Sequence, residues 1–468
     1  MRNLKANVFV PLCLVGYVAI ALFLPRAFPL LELDSRSYIE FATTRTAIYP
    51  SFVRALGWLG LGLQQITYVQ LVLFVPALAL LIVSMLRWGV PRIGIVAFIG
   101  GLIASFHFPS YHWTIMTESI FFTVIVIAAA CCLDYLRTSR IIFLSGVCAC
   151  VGVLAAIRPA GLTLAPIIII LLRLKWHRRD VSTSAAVVAI VGSVLIGPVT
   201  ERLLFRTVHG DQRSSLLPVT MLGKAAMLVR QDMVFTGPHA SSLNELRERL
   251  FETYGPVQTY LAHLPSLVAY PVETAAYEVL AQSDALTTEL EAIAAKTGVS
   301  ADVLRTELGR QAIRHNFSGF IRLSLTHYVG QWSMMALRFP PTSRAINAYV
   351  ASNPNVPFSD KIGDLYLHPP ARPIAMLVYP SMLAIGGLTL ILGLFTAIYM
   401  VRPALGETGP LRDLLPAAVF ATTVHSYAFA ISLVNIATPR YLVAVYPLIL
   451  LSGIFVILAA MRSRMDRQ

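Results

Sequence analysis

The chain has 468 residues, 56% hydrophobic and only 13% charged, with a mean hydropathy of +0.70. Soluble domains carry about 25% charged residues, so the composition excludes an ordinary soluble protein and points to a polytopic membrane protein. The formal net charge of +13 does not indicate a nucleic-acid binder, because the basic residues form short clusters between apolar runs, an arrangement that sets membrane topology. The five cysteines (Cys13, Cys131, Cys132, Cys148 and Cys150) all lie inside apolar runs with no CxxC pair. That pattern indicates neither a disulfide framework nor a structural zinc site.

A helix needs about 20 mostly apolar residues to cross the hydrocarbon. In chain order the predicted spans are residues 7–25, 66–86, 93–109, 118–135, 141–157, 162–174, 183–200, 373–400, 413–434 and 441–461. The start, Met1-Arg2-Asn3-Leu4-Lys5, precedes the first run without a small-residue cleavage site and reads as a retained span. The sixth run is short and is expected to form a tight hairpin with the fifth through Arg158-Pro159-Ala160-Gly161. The expected fold class is therefore an all-α polytopic membrane protein with about ten spans.

Arg2/Lys5, Arg87/Arg92, Arg137/Arg140, Arg173/Lys175/Arg178/Arg179, Arg402/Arg412 and Arg462/Arg464/Arg467 all fall on one side of this threading. The positive-inside rule makes that side cytoplasmic and places both termini there; no role beyond orientation is expected of these clusters. The opposite side receives 26–65, 110–117, 158–161, an insert from 201 to 372, and 435–440. The expected organisation is a membrane domain over 1–200, a helical outer insert over 201–372 and a membrane domain over 373–468. Within the insert, "FIRLSLTHYVGQWSMMALRF" mixes apolar and basic residues with Tyr328 and Trp332 and reads as an interfacial helix over 320–338 or as an extra span, which would require a second to preserve the charge pattern.

Four charges converge on the outer side: Asp34 in "LELDSRSYIEF", Glu118 in "YHWTIMTESIFF", Arg158 after the fifth span, and Arg440 in "NIATPRYLVAVYP". Each has a plain alternative. Asp34 suits the N-cap of a helix over Ser35–Thr44, Glu118 suits an interfacial carboxylate beside Thr117, and the arginines suit headgroup contacts made by snorkelling. Two acids and two arginines on one side also suit chemistry on a phosphorylated substrate. His107, His112 and Trp113 line the second outer loop, His425 reads as a packing residue, and Asn316-Phe317-Ser318 fits a glycosylation sequon.

"LDSRSYIEFA…YPSFVRALGWL", "TES", "IRPAGLTLAP", "QAIRHNFSGFIRLSLTHYVGQW" and "PRYLVAVYPLIL", taken in order and by side, resemble the GT-C superfamily of integral-membrane glycosyltransferases. The similarity is to the bacterial branch that includes protein mannosyltransferases and aminoarabinose transferases. It implies inverting transfer of a sugar from a polyprenyl-phosphate carrier to a glycan, lipid or protein hydroxyl on the outer face. Asp34 would be the general base, ionised with an ordinary pKa of about 3.9. Arg440, Arg158 and Lys224 would hold the donor phosphate, with Glu118 as a second catalytic carboxylate. Glu32, Tyr38, His112 and Tyr441 are expected substrate contacts.

Many members carry two adjacent acids in the first loop, whereas Leu33 separates Glu32 from Asp34 here. Both acids reach one site only if the segment is extended. Carboxylates would suit Mg²⁺ or Mn²⁺, but nothing else forms a metal shell, and the reading leans to metal independence. Two rivals share parts of the pattern: a polyprenyl-pyrophosphate transferase of the O-antigen ligase or polymerase kind, and a flippase for lipid-linked sugars. A flippase would favour inverted repeats and midplane charges, and the sequence displays neither by eye.

Overall fold

In a computed structural model of the chain, residues 2–23, 31–32, 34–104, 107–175, 183–211, 217–262, 284–332, 373–402, 409–435 and 439–465 are described. They build an all-helical fold in two compact units: Met1–Ser214 with Gly387–Tyr427 and Val443–Gln468, and Ser215–Gly386 with Ala428–Leu442. These units divide the chain differently from the expected domains: residues 201–214 of the expected insert fall in the first unit, and the second unit takes 373–386 and 428–442 from the expected third domain.

The first unit contains α1 (Arg2–Phe23), α2 (Ser35–Ile39), α3 (Ile48–Trp58), α4 (Leu63–Trp88), α5 (Arg92–Ala104), α6 (His107–Ser110), α7 (Glu118–Thr138), α8 (Ile141–Ile157), α9 (Pro166–Lys175) and α10 (Thr183–His209). Single 3-10 turns at Tyr111–Trp113 and Pro159–Leu164 break the path. Among the described residues, six helical segments are long and apolar enough to cross a membrane: Leu63–Trp88, Glu118–Thr138, Ala186–His209, Ser381–Val401, Leu411–Val434 and Tyr446–Met465. Val8–Phe23, Arg92–Ala104, Ile141–Ile157 and Pro159–Leu174 are shorter apolar helices. The expected hairpin at 158–161 is the 3-10 turn. There Gly161 is required, because a Cβ would lie 2.3 Å from the Leu154 carbonyl.

α8 and α10 cross through glycines: a Cβ on Gly152 would meet Val194 O at 2.1 Å, and one on Gly197 would meet Gly152 O at 2.1 Å. Small residues at such crossings let backbones approach where lipid offers no hydrophobic drive. α4 ends in a Schellman motif, with Gly89 at φ 95°, Val90 N–H donating to Met85 O (3.0 Å) and Gly89 N–H to Leu86 O (3.0 Å).

Two buried carboxylates give several arginines a role beyond orientation. Asp134 accepts from Ser84 Oγ (2.9 Å), Arg137 Nη2 (3.1 Å) and Arg87 Nη1 (3.4 Å). Asp413 accepts from Trp88 Nε1 (3.0 Å) and from Arg462 Nη1 through both oxygens (2.7 and 2.8 Å). Arg412 stands over the Trp88 ring at 5.6 Å. A buried carboxylate left without such partners carries the full cost of lost hydration, so these arginines are structural.

The second unit contains α11 (Leu217–Leu228), α12 (Ala240–Ala262), α13 (Asp284–Thr297), α14 (Ala301–His315) and α15 (Phe317–Trp332). Leu222, Leu228, Leu243, Leu246, Leu290, Leu304 and Leu308 share one buried core, so the expected helices of the insert form and pack. Ser300 Oγ caps α14 by accepting from Val303 N–H (3.4 Å). Asn316 caps α15 through Gly319 N–H (3.1 Å) and donates its amide to Leu228 O (3.1 Å). The sequon asparagine is therefore a helix cap with its amide nitrogen engaged. Of the predicted interfacial helix, 333–338 lies outside the described residues.

α16 (Pro373–Val401), α17 (Gly409–Val434), α18 (Pro439–Ala444) and α19 (Tyr446–Met465) complete the chain. The boundaries between units fall inside α16, α17 and α18.

Candidate active site

The loop after α1 is the densest polar segment of the first unit. Its helix is shorter than expected, ending at Ile39 rather than Thr44. The cause is Phe41, buried and held at φ 55°, a left-handed conformation that an aromatic residue rarely adopts and that stops a helix. Phe41 is gripped from three sides: its ring contacts Phe205 (6.1 Å) and His209 (4.7 Å), and Arg54 lies 5.0 Å from its centroid. His209 Nε2 is 2.7 Å from Phe41 O. Ala47 N–H donates to Glu201 Oε1 (3.1 Å), and Thr46 Oγ1 donates to Ile157 O (2.6 Å). The last turns of α10 and the end of α8 therefore fix the loop.

Inside that frame Asp34 occupies the N-cap position of α2 but makes no side-chain cap bond. Its Oδ1 instead accepts from Arg45 Nη2 at 2.6 Å. The same guanidinium donates from Nε to Ser37 Oγ (2.7 Å) and from Nη1 to Tyr38 OH (3.3 Å), and lies 4.6 Å from the Tyr38 ring centroid. Ser37 Oγ in turn donates to Asp34 O (2.6 Å). Capping is thus not what Asp34 does; it belongs to a fork-shaped arginine network that fixes both partners. With 29% of its side chain exposed, it is held yet reachable.

Glu32 is not beside it in the manner the extended reading required. Ser35 N–H donates to Glu32 O (2.9 Å), closing a turn, and Glu32 is exposed. Arg36 and Glu40 form an exposed i,i+4 pair of the kind worth little in water.

Two tyrosines carry the arrangement inward. Tyr38 meets Tyr49 edge to face at 5.4 Å. Tyr49 OH donates to Gln70 Oε1 (2.9 Å), and Gln70 Nε2 donates to His112 O (3.0 Å) and Thr114 O (3.1 Å). Burial, then the charge of Glu118, then Tyr38, push the Tyr49 phenol well above its ordinary pKa. Tyr49 is therefore a neutral hydrogen-bond donor lying between the Asp34 network and Glu118.

Glu118 opens α7, fully buried, and accepts from Arg158 Nη1 at 2.9 Å. Thr117 Oγ1 is 3.3 Å from its other oxygen. Arg158 follows α8 in extended conformation. Neither residue is interfacial or snorkelling: 0% of the Glu118 side chain and 10% of the Arg158 side chain are exposed. His112 is also fully buried, with Nδ1 2.7 Å from Ser119 Oγ and Nε2 2.8 Å from Tyr17 OH, among Phe74, Phe108 and Phe122. Its place is a packed polar core beneath the loop, with Trp113 equally buried; the His107 side chain lies outside the described residues. His425 pairs with Thr389 Oγ1 (3.0 Å) and packs.

The remaining candidates lie in the second unit. Lys224 is fully buried, donating to Ser324 Oγ (3.3 Å) and Ser432 O, with Phe320 at 5.6 Å. Gln331 Nε2 reaches Ala428 O (3.0 Å) and Ser432 Oγ (2.7 Å). Tyr441 OH accepts from Asn435 Nδ2. Arg440 sits in α18, and its side chain lies outside the described residues. Among the described residues, no group of three or more His, Cys, Asp or Glu could hold a metal ion.

Set beside known proteins, the chain matches no family model, no curated protein and no solved structure. The site therefore has to be read from its own chemistry.

Proposed function

We propose that this chain is an integral-membrane glycosyltransferase of GT-C type, moving a sugar from a polyprenyl-phosphate carrier to a hydroxyl acceptor on the outer face. Among the described residues, six long and four shorter apolar helices overlap the ten predicted spans, which supports the span count; the proposed cytoplasmic placement of the termini rests on the basic clusters alone. The observation that carries the chemistry is Asp34, a carboxylate fixed at 2.6 Å to Arg45 in an aromatic frame yet still partly exposed. A plain interhelical loop has no need of that network.

In the proposed reaction Asp34 accepts the acceptor hydroxyl proton as that oxygen bonds to the anomeric carbon. The anomeric carbon–phosphate oxygen bond breaks, and polyprenyl phosphate leaves with the electron pair. The leaving group is already an anion, so cations rather than a general acid assist it. By the resemblance Arg440 is the proposed cation; Lys224, fully buried on Ser324 and Ser432 in its own unit, is assigned to packing. Arg158 is committed to Glu118, and this buried pair is assigned to holding the α7 and α8 ends beneath the loop. Tyr38, with its hydroxyl on Arg45, is the aromatic surface beside the base.

The test is turnover of a panel of radiolabelled polyprenyl-phosphate sugars by purified protein and by Asp34→Asn. Loss of at least about a hundredfold, the scale of general-base catalysis, is expected in a variant that folds normally. Undiminished turnover in Asp34→Asn would remove the base from this reading. Donor binding without transfer in either protein would favour the flippase.

A further inference from the structure

Helix α15 is described over Phe317–Trp332. Its outer face is too apolar to face water, yet it carries an exposed arginine, Arg322, within its described length, which a helix sunk in hydrocarbon would bury only at a cost. One face, Leu323, Ser324, His327, Gly330 and Gln331, is buried in its own unit. The opposite face leaves Phe317 60%, Leu325 47% and Val329 37% exposed, with Ile321 partly so. These positions recur at three- to four-residue steps and form one stripe. Arg314, just before the helix, and Arg322, beside the stripe, are both exposed.

The stripe does not end in solvent. Tyr328 meets Phe429 edge to face at 6.0 Å, and Phe429 is itself exposed on α17, which contains a segment long and apolar enough to cross a membrane. The apolar surface of α15 is thus continuous with one that lipid would cover. A helix with an apolar face and basic residues beside it is suited to lying in the plane of the interface.

We infer that α15 lies in the headgroup layer of the bilayer, its Phe317–Val329 stripe in the acyl boundary and Arg314 and Arg322 on the phosphates of acidic phospholipids. The arginine stems reach along the apolar stripe while the guanidinium groups stay at headgroup level. This holds whether or not the chain transfers sugars.

The test uses full-length protein in nanodiscs of phosphatidylcholine alone or of equimolar phosphatidylcholine and phosphatidylglycerol. A spin label is placed at Leu325→Cys and, as an exposed control on α12, at Glu248→Cys, with signal from the native cysteines subtracted. At 325, collision with oxygen should exceed collision with a water-soluble nickel chelate; at 248 the order should reverse. Nickel access at 325 equal to that at 248, or shielding from both reagents, would overturn the placement. The preference of the lipid shell beside position 325 for phosphatidylglycerol over phosphatidylcholine, expressed as a relative association constant, should fall about fivefold in Arg322→Gln and about thirtyfold in Arg314→Gln/Arg322→Gln. An unchanged preference in the double variant would overturn the headgroup assignment. Both arginines are exposed, so these variants keep the fold.

Discussion

Removing one member of the Glu118–Arg158 pair should cost more than removing both. At 2.9 Å the gross attraction is about 6 kcal/mol with an effective dielectric constant of about 20. Against it stands a desolvation cost of several kcal/mol per ion, which is why the net worth of the pair is small. Arg158→Met leaves a carboxylate with no exposed side-chain area and without its counter-charge, an arrangement that costs about 3–5 kcal/mol. Glu118→Met leaves the Arg158 guanidinium, whose side chain is only 10% exposed, without its counter-charge and should fall at the lower end of that range. Glu118→Met/Arg158→Met buries neither charge and should lie within about 1 kcal/mol of the parent. The assay is reversible unfolding in mixed micelles by sodium dodecyl sulfate, followed by tryptophan fluorescence and analysed as a double-mutant cycle. A coupling energy of about 3 kcal/mol or more is expected. Single variants that each cost under about 1 kcal/mol and simply add would refute the claim that the pair is dry and mutually dependent.

Arg45→Lys keeps the charge but cannot serve Asp34, Ser37 and Tyr38 at once, so turnover in the sugar-transfer assay should fall about ten- to a hundredfold, with unfolding free energy changed by less than about 1 kcal/mol. Gly152→Val places a side chain where Val194 O lies 2.1 Å from an ideal Cβ, and a loss of about 3 kcal/mol or failure to fold is expected, read by monodisperse yield on gel filtration. Burial, then Lys224, then Arg322 hold the His327 imidazole well below its ordinary pKa of 6.5. The unfolded chain therefore binds the extra proton first, so stability is full above about pH 6.5 and declines as pH falls below it, by at most about 1.4 kcal/mol per pH unit. A His327→Gln variant should flatten that slope in pH-dependent thermal melts. Glu201→Leu leaves the Ala47 N–H without its acceptor, and amide exchange over 34–47 should quicken by the equivalent of about 1–3 kcal/mol while α4 is unaffected.

The apolar helices were legible because each rests on a run of residues that water rejects, a local property. The predicted runs at 66–86 and 118–135 fall inside α4 and α7. The helices of the insert were legible for a related reason, since Leu304, Leu308 and Ala312 recur at helical spacing and end in one core. What the sequence concealed was pairing at long range. Arg45 stands 11 residues from Asp34 at no helical spacing, and only the turn forced by Phe41 brings it back. Arg158 reads locally as a snorkelling arginine, and nothing near it in sequence announces Glu118, 40 residues earlier. The basic clusters read in the sequence only as orientation signals, and the bonds of Arg87, Arg137 and Arg462 to Asp134 and Asp413 depend on packing between distant helices.

The first unit uses its charges in two ways that correspond to two physical environments. Glu118 is closed off from solvent, so the carboxylate and Arg158 hold each other and help to fix the ends of α7 and α8. Asp34 is partly exposed, where a single ion pair would contribute little and drift between rotamers. There the chain supplies restraint by other means: a three-point guanidinium fork, two tyrosines packed edge to face, and clamps from Glu201, His209 and Ile157. Phe41 in a left-handed conformation costs on the order of 1–3 kcal/mol and persists only where its surroundings over-determine it. A loop that merely joined α1 to α4 would relax that strain. Its retention here, beside the most constrained and still reachable carboxylate of the unit, is what sets this loop apart as the place to look for chemistry.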